Sequence, residues 1–209
     1  MERPEATHRL TDIINQDLRP LAEQYKVPVF FEENGSKNNI WVSQVLEWHL
    51  GVYPNSSRSP SFWSWELKVI PLKYLKNGNL TVTRAMFITT IDTYYLKRTD
   101  FEASYLHSIL TQMIVAARIW ESKQEERSIL HSVTTFDLDD PEVYRQIKED
   151  YDLVRETIQT QGFSAVTGKM GVYIQPKAIV PGHGMDSIAF YMRTDFLKKM
   201  ILPATDVHP

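Results

Sequence analysis

Glu66 and Lys68 lie two apart in the run Trp65-Glu66-Leu67-Lys68-Val69-Ile70-Pro71, where apolar residues alternate with opposite charges ahead of a proline. The alternation predicts a strand closed by Pro71, with Trp65, Leu67 and Val69 on one face and Glu66, Lys68 and Ile70 on the other. A carboxylate and an ammonium would then stand about 6 to 7 Å apart along the backbone. On a solvated strand such a pair is ordinary. Glu47 upstream and Ser61 just before the strand give it a second meaning. A metal-dependent phosphodiesterase needs carboxylate oxygens to hold a divalent ion against the scissile phosphate. It also needs a lysine to orient, or help deprotonate, the attacking water.

The elements that must position these residues follow from periodicity. Val42, Val45, Leu46 and His49 predict a helix over about 40–50, with Asn38 or Asn39 as its cap, Gly51 as its stop and Glu47 on its flank. Ahead of it, residues 7–25 read as an amphipathic helix interrupted or kinked near Pro20, and 27–31 as a short extended segment. After the organising strand, Asn77-Gly78 signals a hairpin whose partner strand would run from Leu80 to Ile91. A helix over 103–113, a central strand over 114–120 and another strand over 129–136 come next. Asp139-Asp140-Pro141-Glu142 opens a helix on which Val143, Ile147, Tyr151, Val154 and Ile158 recur, and Gly162 ends it. A glycine-rich strand and turn over 167–178, a strand over 188–192 and a helix over 196–201 complete a mixed α/β order without repeats.

The totals bound the function. At 209 residues the chain fits one large domain or two small ones. With no cysteine, disulfides, thiolate metal sites and cysteine nucleophiles are excluded, and a reducing cytoplasm is compatible. Met1-Glu2-Arg3-Pro4-Glu5 has no apolar run behind it, so neither a signal peptide nor a membrane span is expected. The 23 basic residues against 26 acidic ones leave a net charge of −3, which argues against a nonspecific nucleic-acid coat but permits a confined basic cleft. Over 169–199, Lys169, Lys177, Arg193, Lys198 and Lys199 face only Asp186 and Asp195, so this stretch carries five positive charges against two negative. His183 reads as a loop histidine. Gly168-Lys169-Met170-Gly171 lacks the ending of a phosphate loop.

Five pieces, in order, resemble the MutH mismatch-repair endonuclease and its restriction-enzyme relatives. They are Val45 to Gly51, Trp65 to Pro71, Glu126 to Ile129 with the acidic helix from Asp140 to Ile158, Gly171 to Ala178, and Phe190 to Arg193 with Phe196 to Lys199. The resemblance implies a PD-(D/E)xK nuclease: an α/β, restriction-endonuclease-like mixed central sheet flanked by helices, with a two-lobed DNA cleft. It implies one domain over 1–209, its nuclease core near 40–136 and its DNA-contacting elements near 163–202. Glu47 and Glu66 would bind Mg²⁺ and Lys68 would orient the attacking water. Lys177 and Tyr191 would contact double-stranded DNA, helped by Lys169 and Arg193 from the basic stretch. Relatives commonly recognise GATC.

One departure stands out. The family keeps an aspartate where Ser61 stands, and no aspartate occurs between Asp17 and Asp92. A serine hydroxyl is neutral and a poor Mg²⁺ ligand. Ser61 is then an inactivating substitution, or part of a site using Glu47, Glu66 and water, or the mark of a DNA-binding relative that no longer cuts. Gln175 stands where the family has an arginine, and Ala116 and Ala117 where it has basic residues. That contact set fits a type II restriction enzyme better than the repair enzyme. A homodimer on a palindrome and a monomer nicking one strand are both open.

Overall fold

A computed structural model describes residues 1–52, 65–136, 138–179 and 187–202. The chain divides into two compact units, one of residues 1–83 and 112–136, the other of 84–111 and 137–209. Both combine helices with a sheet, and no helix among the described residues is long and apolar enough to cross a membrane.

The first unit holds helices α1 (Arg3–Thr11), α2 (Leu18–Gln24) and α3 (Trp41–His49) and strands β1 (Glu66–Tyr74) and β2 (Leu80–Val82). Two later strands complete its mixed four-stranded sheet, which has the order β2-β1-β4-β5: β4 (Met113–Trp120), parallel to β1, and β5 (Ser128–Phe136), antiparallel to β4. Strand β4 is central and buried almost throughout, hence its unbroken apolar reading. The three helices pack through Leu10, Leu18, Val45 and Leu46 onto one sheet face, where Leu67, Val69, Ile114 and Leu130 meet them. The charged outlier in β4 is Arg118, 7% exposed. Its Nη1 and Nη2 donate to Glu125 at 2.5 and 3.0 Å, and Lys37 donates to the same carboxylate.

The second unit is built on the long helix α6 (Pro141–Thr160), with α4 (Thr93–Leu96), α5 (Tyr105–Leu110) and α7 (Thr194–Ile201). Its antiparallel sheet has the order β3-β7-β6, from β3 (Met86–Thr90), β6 (Ile174–Ala178) and β7 (Ile188–Met192). Asp140 caps α6 by accepting from the N–H groups of Glu142 and Val143. The stripe Ile147, Tyr151, Val154 and Ile158 is buried, as its spacing predicts, and Tyr151 stacks on Phe190 with ring centroids 5.8 Å apart.

Several expectations are corrected. The helix over 7–25 is interrupted, but over 12–17, where Asn15 takes φ +68°, rather than at Pro20. Pro20 sits inside the first turn of α2, where a missing N–H is tolerated. The extended segment 27–31 joins neither sheet and makes a single bridge, from Phe30 to Lys37. Neither Asn38 nor Asn39 is the cap of α3. Ile40 is, while buried Asn38 holds the preceding turn by accepting from the N–H of Ile40. Pro71 does not close β1. Its carbonyl accepts from the N–H of Thr83 on the β2 side where that ladder ends, so the absent N–H breaks no bond to β4 and the strand runs on to Tyr74. The single strand expected over 80–91 is two: β2 pairs with β1, whereas β3 pairs with β7 in the other sheet.

Candidate active site

Glu66 and Lys68 stand on the same face of β1, opposite Met113 and Val115 of β4. Lys68 Nζ lies 2.5 Å from Glu66 Oε1, and the two side chains are 12% and 31% exposed. The bland expectation of a solvated pair therefore does not describe them. An ammonium this shielded needs a counter-charge, and Glu66 supplies it. The neighbours on this face, Ile70 and Leu72, are buried.

Glu47 occupies the last turn of α3, half-buried, on a helix that packs against β1 in the same unit. Burial pushes its carboxyl above the ordinary value, and no ion pair or hydrogen bond to its carboxylate occurs among the described residues. Gly51 ends its helix: it follows the cap residue Leu50 at φ +76°, and its N–H bonds to the carbonyl of Trp48. A raised carboxyl pKa costs stability as pH rises through it, because the unfolded chain ionises earlier. Glu47→Gln is therefore expected to stabilise the metal-free protein at pH 7 by about 1 kcal/mol. The gain should vanish near pH 4, as urea unfolding at the two pH values would read. An equal gain at both would sink the assignment.

Ser61 and His183 lie outside the described residues. Among the described residues, no three His, Asp or Glu side chains form a group that could hold a metal ion.

In the second unit Lys177 on β6 and Tyr191 on β7 come together, with Nζ 5.5 Å from the ring centroid. Lys169 is exposed on the turn leading into β6. Arg193 is engaged: Nε donates to the carbonyl of Gly171 and Nη2 to those of Gly168 and Met170. Asp150, 2% exposed on α6, holds the same turn from the other side. It accepts from the N–H groups of Val172, Tyr173 and Ile174. Between these two clamps Gly171 takes φ +78°, and a Cβ there would lie 1.9 Å from the carbonyl oxygen of Ile174. The turn that starts β6 is thus fixed by residues 20 or more positions away in sequence. Residue type alone does not mark Asp150, although a carboxylate three residues after Ile147, on the apolar stripe of α6, signals that it is buried.

The family model for the DNA mismatch repair enzyme MutH matches residues 50–150, which include Glu66, Lys68, Glu125 and Asp150. The MutH mismatch repair protein of Vibrio campbellii is 26% identical over 231 aligned residues, covering 95% of this chain and 92% of its own. That of Vibrio parahaemolyticus is 25% identical over 219, with the same coverage. The chain is similar to the MutH mismatch repair proteins. Nearly the whole length of the MutH relatives is spanned, so both units, and the strands bearing Lys177 and Tyr191, fall within the similarity.

Proposed function

We propose that the chain is a cytoplasmic, sequence-specific, Mg²⁺-dependent endonuclease that hydrolyses phosphodiesters in double-stranded DNA, a type II restriction enzyme with a GATC-like target. The observation that carries this reading is the shielded Glu66–Lys68 pair on β1, with the desolvated Glu47 on a helix packed against the same strand, in a chain similar to MutH. Carboxylate oxygens are the donors Mg²⁺ prefers, and Mg²⁺ keeps several waters and needs only one or two protein carboxylates besides substrate phosphate. Glu47 and Glu66 fit that requirement in type and number. When bound, the ion supplies Lewis-acid polarisation of the phosphate.

The chain's own residues do the rest. Lys68, paired with Glu66, is set to orient the attacking water and to offset charge developing on the phosphate oxygens. Lys177, Lys169 and Arg193 supply phosphate contacts, and Tyr191 faces the bases. The two units form one nuclease domain, as a homodimer on a palindrome or as a monomer nicking one strand.

Cleavage of supercoiled plasmid with and without Mg²⁺, by the chain itself, Ser61→Asp and Lys68→Ala, tests the proposal. Ser61→Asp is expected to raise the rate at least about a hundredfold and Lys68→Ala to remove it. No cleavage by any version would overturn it.

The serine favours one second reading, a protein on the same fold that binds its DNA sequence without cutting. Specific binding with no cleavage by Ser61→Asp would select it.

A further inference from the structure

A cavity of about 280 Å³ opens in the second unit among β3, α4, α5, α6 and β7. Leu106, Tyr151 and Phe190, each at most 2% exposed, form its buried wall. Tyr95 and Tyr105 also line it, yet they are 66% and 70% exposed. Phe190 and its neighbour Tyr191 point to opposite faces of β7, so the cavity lies on the core side of the sheet, away from Tyr191.

The polar groups of the buried wall are answered within the protein. The Tyr151 hydroxyl donates to the carbonyl of Thr99 at 2.9 Å, and Ser104 Oγ donates to that of Phe101 at 2.6 Å. Asp92 differs, and it is the one charged residue among the described residues of the lining. Its Oδ1 caps α4 by accepting from the N–H groups of Tyr94 and Tyr95, while its Oδ2 accepts from no described residue. Arg98, just past α4, is engaged elsewhere: its guanidinium lies over the Tyr94 ring at 3.9 Å, and Nη1 donates to the carbonyl of Tyr94.

Size and lining select the occupant. An apolar cavity of about 150 Å³ takes up benzene, so this one has room for a second ring or a short chain as well. Tyrosine rings attract cations, and so does a carboxylate without a counter-charge, whereas an anion would be repelled by Asp92. We propose that the cavity binds a small aromatic amine, its ring against Leu106, Tyr151 and Phe190 and its ammonium at Asp92, within reach of the Tyr95 and Tyr105 rings. The site does not depend on the nuclease reading.

Calorimetric titration of the full chain with tryptamine tests this, beside indole-3-acetate, which has the same ring and the opposite charge. One equivalent of tryptamine should bind with a Kd below about 1 mM. It should bind at least about fivefold more tightly than indole-3-acetate. Asp92→Asn, which still caps α4, should bring the two within about twofold of each other. Tyr105→Ala should weaken tryptamine about threefold to tenfold. Tyr94→Ala removes an exposed neighbour that does not line the cavity, and should leave the affinity within about twofold. No saturable binding of tryptamine, a preference that survives Asp92→Asn, or equal losses in Tyr105→Ala and Tyr94→Ala would overturn the site. All three substituted side chains are exposed, so the variants are expected to fold, and circular dichroism checks this.

Discussion

Glu66→Gln is expected to lower Mg²⁺-dependent plasmid cleavage by about three orders of magnitude, the several kcal/mol that metal-assisted charge stabilisation contributes. The rate is best read in the Ser61→Asp background, where the parent signal is largest. Glutamine keeps the shape and leaves an oxygen to accept from Lys68, now 2.5 Å from the carboxylate. What it removes is the negative charge that draws the cation and balances the ammonium. The cost to folding should therefore stay below about 3 kcal/mol, the upper value for a hydrogen bond to a charged group. A rate within tenfold of the parent, with Mg²⁺ affinity intact, would show that Glu66 serves only to keep Lys68 in place.

The largest loss of stability is expected at Glu125, by about 3 to 5 kcal/mol in urea unfolding of Glu125→Gln at pH 7. Glu125 is fully buried and answers two cations, Arg118 and Lys37. Desolvation pushes its carboxyl up. The hydrogen bonds from Arg118 and Lys37 and their charges more than reverse this, so it ends below the ordinary value. Glutamine would leave the nearly buried Arg118 guanidinium without a counter-charge. It keeps the residue's φ of +51°, so the strain of that backbone is common to both proteins and cancels. A lowered pKa contributes stability that is present above the unfolded value and lost as pH falls through the folded one. The gap between parent and variant should accordingly narrow on acidification below about pH 5, where the unfolded carboxylate begins to protonate. A gap that is constant down to pH 2, or a cost under 1 kcal/mol at pH 7, would contradict the buried-charge account.

Features that a local period can carry were legible in the order of residues alone. The alternation around Glu66 and Lys68 put both on one face of a strand. The 3.6-residue stripe and the Asp140-Pro141 start defined α6, and Asn77-Gly78 defined the hairpin, where Gly78 takes φ +84°. Those signals are legible because each is settled by neighbours within a turn or a pleat. Partner choice is not. Residues 80–91 read as one β-rich run, yet only the competition between β1 and β7 for pairing could split them between two sheets. Pro71 read as a stop because a proline breaks a ladder, and only the end of the β2 ladder made it harmless.

The candidate site divides in the same way. Its residue types were visible in the chain, but the shielding of Lys68 came from the packing around β1, and the unanswered charge of Glu47 from the burial of α3. The clamps of Asp150 and Arg193 on the turn before Lys177 join residues more than 20 apart, a separation no spacing rule reports. Burial turns a surface charge into a positioned one, and burial exists only once distant segments have closed over it.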